Sequence, residues 1–232
     1  MNQILIIGTT DSIILASVVT EVLPVTFYLL FQKKNRDNSL RVIFYLLIVN
    51  FFNDLYGFYK LRRVEENILT FNIYLLIETV TICIFFAKIL SRSFIKPFLT
   101  TIISIFIALW LFQFIKVGQA EALWDCVNYE NIFIMLVATY FYYEKIFLLN
   151  EPLIYDNTTF WVVSAFFLNA AGTFFLLLYI STLPSKEDQE GYYNLNYVFT
   201  ILRTILLSIA MLMKNTSLDN QKHPINLGWF QK

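Results

Sequence analysis

Seven apolar stretches, each about as long as a bilayer's core is thick, follow one another through 232 residues. They run from about Ser12 to Phe31, Val42 to Tyr59, Ile68 to Ile89, Phe98 to Ile115, Val127 to Leu148, Thr159 to Ile180 and Leu195 to Met213. A helix rises about 1.5 Å per residue, so roughly 20 apolar residues cross a hydrocarbon core of about 30 Å. In lipid a lone segment must satisfy its own backbone N–H and C=O groups, and the α-helix does so. The pattern predicts an all-α fold, a polytopic bundle of seven transmembrane helices over residues 1–213 with a short cytoplasmic tail over 214–232. Composition agrees: only 15% of residues are charged, against about 25% in soluble domains. The lipid bilayer is therefore the first expected partner.

The basic residues orient the bundle. In a seven-span arrangement Lys33, Lys34, Arg36, Arg41, Lys88, Arg92, Lys96, Lys145, Lys214, Lys222 and Lys232 share one side, eleven in all. Lys60, Arg62, Arg63, Lys116 and Lys186 are on the other, five in all. Basic loops stay cytoplasmic, which predicts the N-terminus out and the C-terminus in. The N-terminus has no basic n-region, so the first stretch reads as a retained helix rather than a cleaved signal.

Several chemistries are excluded at this level. A formal net charge of zero gives nucleic acid no electrostatic footprint. The one histidine, His223, lies in the tail, so a histidine-based zinc site has no ligand set and serine nucleophiles lack a base. The seventh stretch has Arg203 where a retinal protein needs a Schiff-base lysine. No Walker or dinucleotide motif is present, and Cys83 and Cys126 are too few for a disulfide framework. No cofactor, metal or catalytic residue is expected.

What remains is a set of polar groups inside the apolar stretches. Glu78 sits at the centre of Asn72–Cys83, on a stripe with Thr70, Tyr74 and Thr81. Glu21 lies in the first stretch, three residues before Pro24, which should kink that helix and free a carbonyl near Thr20. Asn50 and Asp54, four apart, share a face of the second. Glu130 and Asn131 open the fifth, Asn169 with Gly172 and Thr173 marks the middle of the sixth, and Asn196, Thr200 and Arg203 share a face of the seventh. Counting from span starts puts Glu21, Glu78 and Arg203 at one depth, with Asp54 and Glu130 shallower. Four acids against one internal base predict that Arg203 pairs with Glu78 or Glu21. The polar core is thus expected to contain Glu21, Asn50, Asp54, Tyr74, Glu78, Glu130, Asn169 and Arg203. Such groups serve either as glue between helices, at about 0.6 kcal/mol per contact, or as a ligand- or proton-sensitive cavity open to the outer side.

Asn72-x-Tyr74-xxx-Glu78, the aromatic run Tyr140–Tyr143 and Phe160-Trp161-Val162 resemble features of a loosely defined group of bacterial seven-helix inner-membrane proteins without assigned activity. That group is similar to stand-alone membrane sensor modules of bacterial signalling kinases. The resemblance implies a multi-pass protein of the bacterial inner (plasma) membrane, with a receptor-like or sensor function and a cytoplasmic signalling protein as partner. A second copy of the chain is a further candidate partner. Two other functions fit the same residues: a small-solute or proton-coupled transporter, and a carboxylate-based intramembrane enzyme using Glu21, Asp54 or Glu78 as acid and base.

Overall fold

A computed structural model describes residues 12–31, 37–63, 67–117, 122–148, 154–183 and 186–213. The 214–232 tail and the first loop's Lys33, Lys34 and Arg36 lie outside the described residues. Within them every regular element is helical. In chain order these are α1 (Ser12–Leu30), α2 (Asn38–Arg62), α3 (Ile68–Ile89), α4 (Ile95–Val117), α5 (Trp124–Tyr143), α6 (Thr158–Ile180) and α7 (Lys186–Leu212). A π-helical turn at Glu144–Leu148 and a 3-10 turn at Ile154–Asp156 join α5 to α6.

Local chemistry marks several of the helix starts. The Asp37 carboxylate accepts the Ser39 N–H at 2.9 Å to start α2, and the Asn157 side-chain oxygen accepts the Thr159 N–H at 3.0 Å to start α6. In α1, Pro24 has no N–H for the Thr20 carbonyl, and the helix loosens into a turn at Glu21. Pro97 is in the first turn of α4, where a missing N–H costs nothing.

Two boundaries differ from those expected. The last helix, expected from about Leu195, already begins at Lys186. The α5 helix begins at Trp124 rather than Val127 and stops as an α-helix at Tyr143.

Six helices (α1, α2, α3, α4, α6 and α7) are long and apolar enough to cross a membrane. Their exteriors match lipid: Leu30, Phe112, Ile115 and Phe175 are largely exposed. The α4 helix has 17% of its most apolar window buried, the least of the six, and is the most lipid-like rod. This is the build of a multi-pass membrane protein. The α5 helix has comparable length, but Asp125, Asn128, Glu130 and Asn131 make its first half polar.

Hydrogen bonds at the two ends show how the rods alternate. At one end the Trp110 indole N–H of α4 donates to the Asn72 carbonyl of α3 at 2.9 Å, and the Asn72 side-chain oxygen accepts the Leu123 N–H at 3.1 Å. The start of α3, the end of α4 and the start of α5 therefore meet at what we term the entry face. At the opposite, far face the Glu144 carboxylate accepts the Ser91 N–H at 2.8 Å, and Tyr142 and Ser164 hydroxyls lie 2.8 Å apart. The far-face half of the bundle is mainly apolar, with Phe85, Phe86, Phe141, Val162, Leu207 and Met211 fully buried, and Ser39, Glu144 and Thr158 as buried polar groups at its edge.

Asn72 is itself completely buried. Replacing it with leucine leaves the buried Leu123 N–H without its acceptor, a loss of about 1–3 kcal/mol. We expect Asn72→Leu to lower the unfolding midpoint in detergent, while Asn72→Asp retains most of it.

Candidate functional site

The entry-face half of the bundle holds a cavity of about 580 Å³, within the roughly 300–1,000 Å³ range of small-molecule sites. Every helix except α4 contributes to its wall. Leu61, Asn67 and Trp124 line it near the helix ends, and Glu78 and Arg203 line its deep part. From Asn67 to Glu78 is about 16 Å along α3, half the thickness of a hydrocarbon core. Beyond that depth the apolar core closes the bundle.

Seven of the eight residues expected in the polar core line this cavity: Asn50, Asp54, Tyr74, Glu78, Glu130, Asn169 and Arg203. The eighth, Glu21, is behind the wall, 1% exposed, with its Oε1 accepting the Asn50 amide N–H at 2.5 Å. At the base of the cavity Arg203 Nη1 donates to Glu78 Oε1 at 3.1 Å, and Nη2 lies 4.0 Å from Glu21 Oε1. The single arginine thus serves two carboxylates from two other helices. Both pairs are well shielded, where a charge left alone would be costly. Asp54 is close enough to Glu21 and Arg203 for their charges to interact, and its Oδ1 accepts from Asn53 at 3.1 Å.

Glu130 lies deeper than its place in the sequence implies. Its Oε1 accepts the Thr79 hydroxyl at 2.8 Å, which sets it beside Glu78 rather than nearer the entry face. The earlier start of α5 is the reason, because it places Glu130 well inside the helix. The stripe on α3 also differs at both ends, and at the first the Thr70 hydroxyl turns to Asn67 rather than to the cavity. Tyr74 and Glu78 face the cavity, but the Thr81 hydroxyl turns back to the Ile77 carbonyl at 2.7 Å. Thr79 faces inward in its place.

Thr79, Tyr197 and Asn53 are site residues that sequence reasoning did not single out. Thr79 could have been found from the buried face Asn72, Leu75, Thr79 and Ile82, which repeats at helical spacing. Across α6 and α7 the Thr173 hydroxyl donates to Asn196 Oδ1 at 2.8 Å, so part of the wall is already paired. Other lining groups are not: the Asn131 amide nitrogen and the Asn169 carbonyl oxygen are buried without a hydrogen-bond partner among the described residues. The described residues contain no cluster of three or more metal-ligating side chains. Chemically, the arrangement can hold a small polar molecule against carboxylates, amides and hydroxyls, with aromatic rings at the sides.

The chain matches no protein-family profile, no curated protein and no solved structure with which it was compared. Its function is therefore read from this cavity.

Proposed function

We propose that this protein is a receptor-like sensor module that binds a small polar ligand in the entry-face cavity. In this reading α5 spans the bilayer with the other six helices, the entry face is outside and the far face is cytoplasmic. The membrane is the bacterial inner membrane, in keeping with the excess of basic residues on the far-face side. The observation that carries the reading is that, among the described residues, polar groups from six helices converge on one cavity, and a mainly apolar core lies beyond it on the far side.

The signal would travel along α3. This helix holds Glu78 against Arg203 in the cavity, and the chain just beyond its far end is held by the bond from Ser91 to Glu144. A ligand that draws Glu78 from Arg203 tilts or rotates this rod and alters the Ser91–Glu144 contact, where a cytoplasmic partner reads it.

Transport is the competing function, and proteoliposomes separate the two. Solutes that raise the thermal stability of the purified protein are tested for uptake into sealed vesicles. We expect binding without flux. Uptake that exceeds protein-free vesicles and is abolished by Glu78→Gln would show a transporter instead.

A further inference from the structure

We infer that the ligand of this cavity is a small organic cation, a primary ammonium on a short apolar or aromatic body. The inference rests on the reading of the cavity as a ligand site and specifies its chemistry.

Charge comes first. Asp54, Glu78 and Glu130 line the cavity, and among the described residues Arg203 is the one cation that does. Arg203 is taken by Glu78 at 3.1 Å, with Glu21 at 4.0 Å on its other side. An anion would find no open positive group and would have to displace Glu78. A cation finds two acids that Arg203 does not bind directly. Glu130 is the better placed of them: 5% exposed, it gives one oxygen to Thr79 and keeps the other for a donor.

The second observation is independent of the acids. Asn131, next to Glu130 and also 5% exposed, lines the cavity with an amide nitrogen that has no partner among the described residues. Asn169 lines it from α6 with a buried side-chain oxygen that likewise has no partner among them. A buried amide without a partner costs about 1–3 kcal/mol, a cost that a bound polar molecule removes. An ammonium supplies three N–H donors, enough for Glu130, the Asn169 side-chain oxygen and a third acceptor, while the Asn131 N–H is itself a donor and pairs only with an acceptor elsewhere on the ligand.

The walls suit the remainder of such a molecule. Phe71 and Trp124 lie with ring centroids 5.6 Å apart, and both line the cavity with Phe166. Aromatic faces attract cations and cover apolar bodies. The cavity volume of about 580 Å³ is in the range of small-molecule sites.

The test uses the full chain in lipid nanodiscs at neutral pH, with phenethylammonium, its neutral counterpart 2-phenylethanol and the anion phenylacetate as probes. Equilibrium binding and thermal shift are measured for the wild type, Glu130→Gln and Asp54→Asn. Phenethylammonium is expected to bind at least about tenfold more tightly than either other probe, and Glu130→Gln to weaken it about tenfold. If Glu130→Gln does not fold, Asp54→Asn serves, with a smaller loss expected. Equal or tighter binding of 2-phenylethanol or phenylacetate overturns the cation assignment and leaves the ligand-site reading standing. If no probe binds but a cysteine at Asn196 is labelled from the entry face, the cation assignment fails alone. If no probe binds and that cysteine is closed to solvent, both fail.

Discussion

Replacing Arg203 with leucine is expected to destabilise the protein by about 3–5 kcal/mol, the largest effect of any single change in the cavity. The guanidinium lies between Glu78 and Glu21, carboxylates on α3 and α1, and is only 8% exposed. Its removal leaves two buried acids facing each other without a counter-charge. Glu78→Gln should cost less, about 1–2 kcal/mol, because Arg203 keeps Glu21 and glutamine still accepts a hydrogen bond. The asymmetry is the specific prediction: Arg203→Leu falls well below Glu78→Gln in unfolding midpoint. Adding Glu78→Gln to Arg203→Leu should recover part of the loss, since one stranded carboxylate is gone. Equilibrium unfolding of the four proteins in bicelles measures all the terms. Equal losses for the two single variants would mean that Glu21 takes no share of the arginine.

The second large effect is expected at Gly172. A Cβ built on this residue of α6 would come within 2.4–2.7 Å of three ring atoms of Phe199 on α7. The contact includes the ring carbon attached to the side-chain stem, so the ring cannot swing clear with a small rotation. Gly172→Leu should cost about 1–3 kcal/mol or more through overpacking. It should also widen the α6–α7 contact that closes the cavity at Thr173 and Asn196. Phe199→Ala should rescue Gly172→Ala, because the smaller side chain leaves room for the added carbon. An unchanged midpoint for Gly172→Leu would show that α6 and α7 separate at little cost.

Much of this arrangement is legible in the residues, and its failures have physical causes. The apolar runs are local, and their length alone marks where lipid-crossing rods form. Arg203, Glu78 and Glu21 could be paired because, within lipid, one internal base and several acids leave few partners. Rotation about a helix axis is less visible. The α3 helix is apolar on nearly every side, so the stripe of Thr70, Tyr74, Glu78 and Thr81 stands out over the face that carries Asn72 and Thr79. Neighbours in space, Glu130 above all, made the choice. Depth was misjudged for Glu130 because Trp124, Asp125 and Cys126 do not look like the start of a membrane helix. The charged segment at 186–191 hides the start of α7 for a similar reason. Asn72 stood out in sequence only as part of a motif. Its use in holding the start of α5 depends on a residue 51 positions away.

The central claim is a water-filled cavity that opens at one end of the bundle only. Cysteines are placed at Thr173 and Asn196 within the cavity and at Met211 in the far apolar core, with Cys83 and Cys126 replaced by alanine. Sealed membrane vesicles of both orientations are then treated with a charged, membrane-impermeant thiol reagent. The cavity positions are expected to label rapidly from the entry face and not from the other, with Met211 unlabelled from either. Labelling of Thr173 and Asn196 positions from both faces, or from neither, would contradict a one-ended cavity.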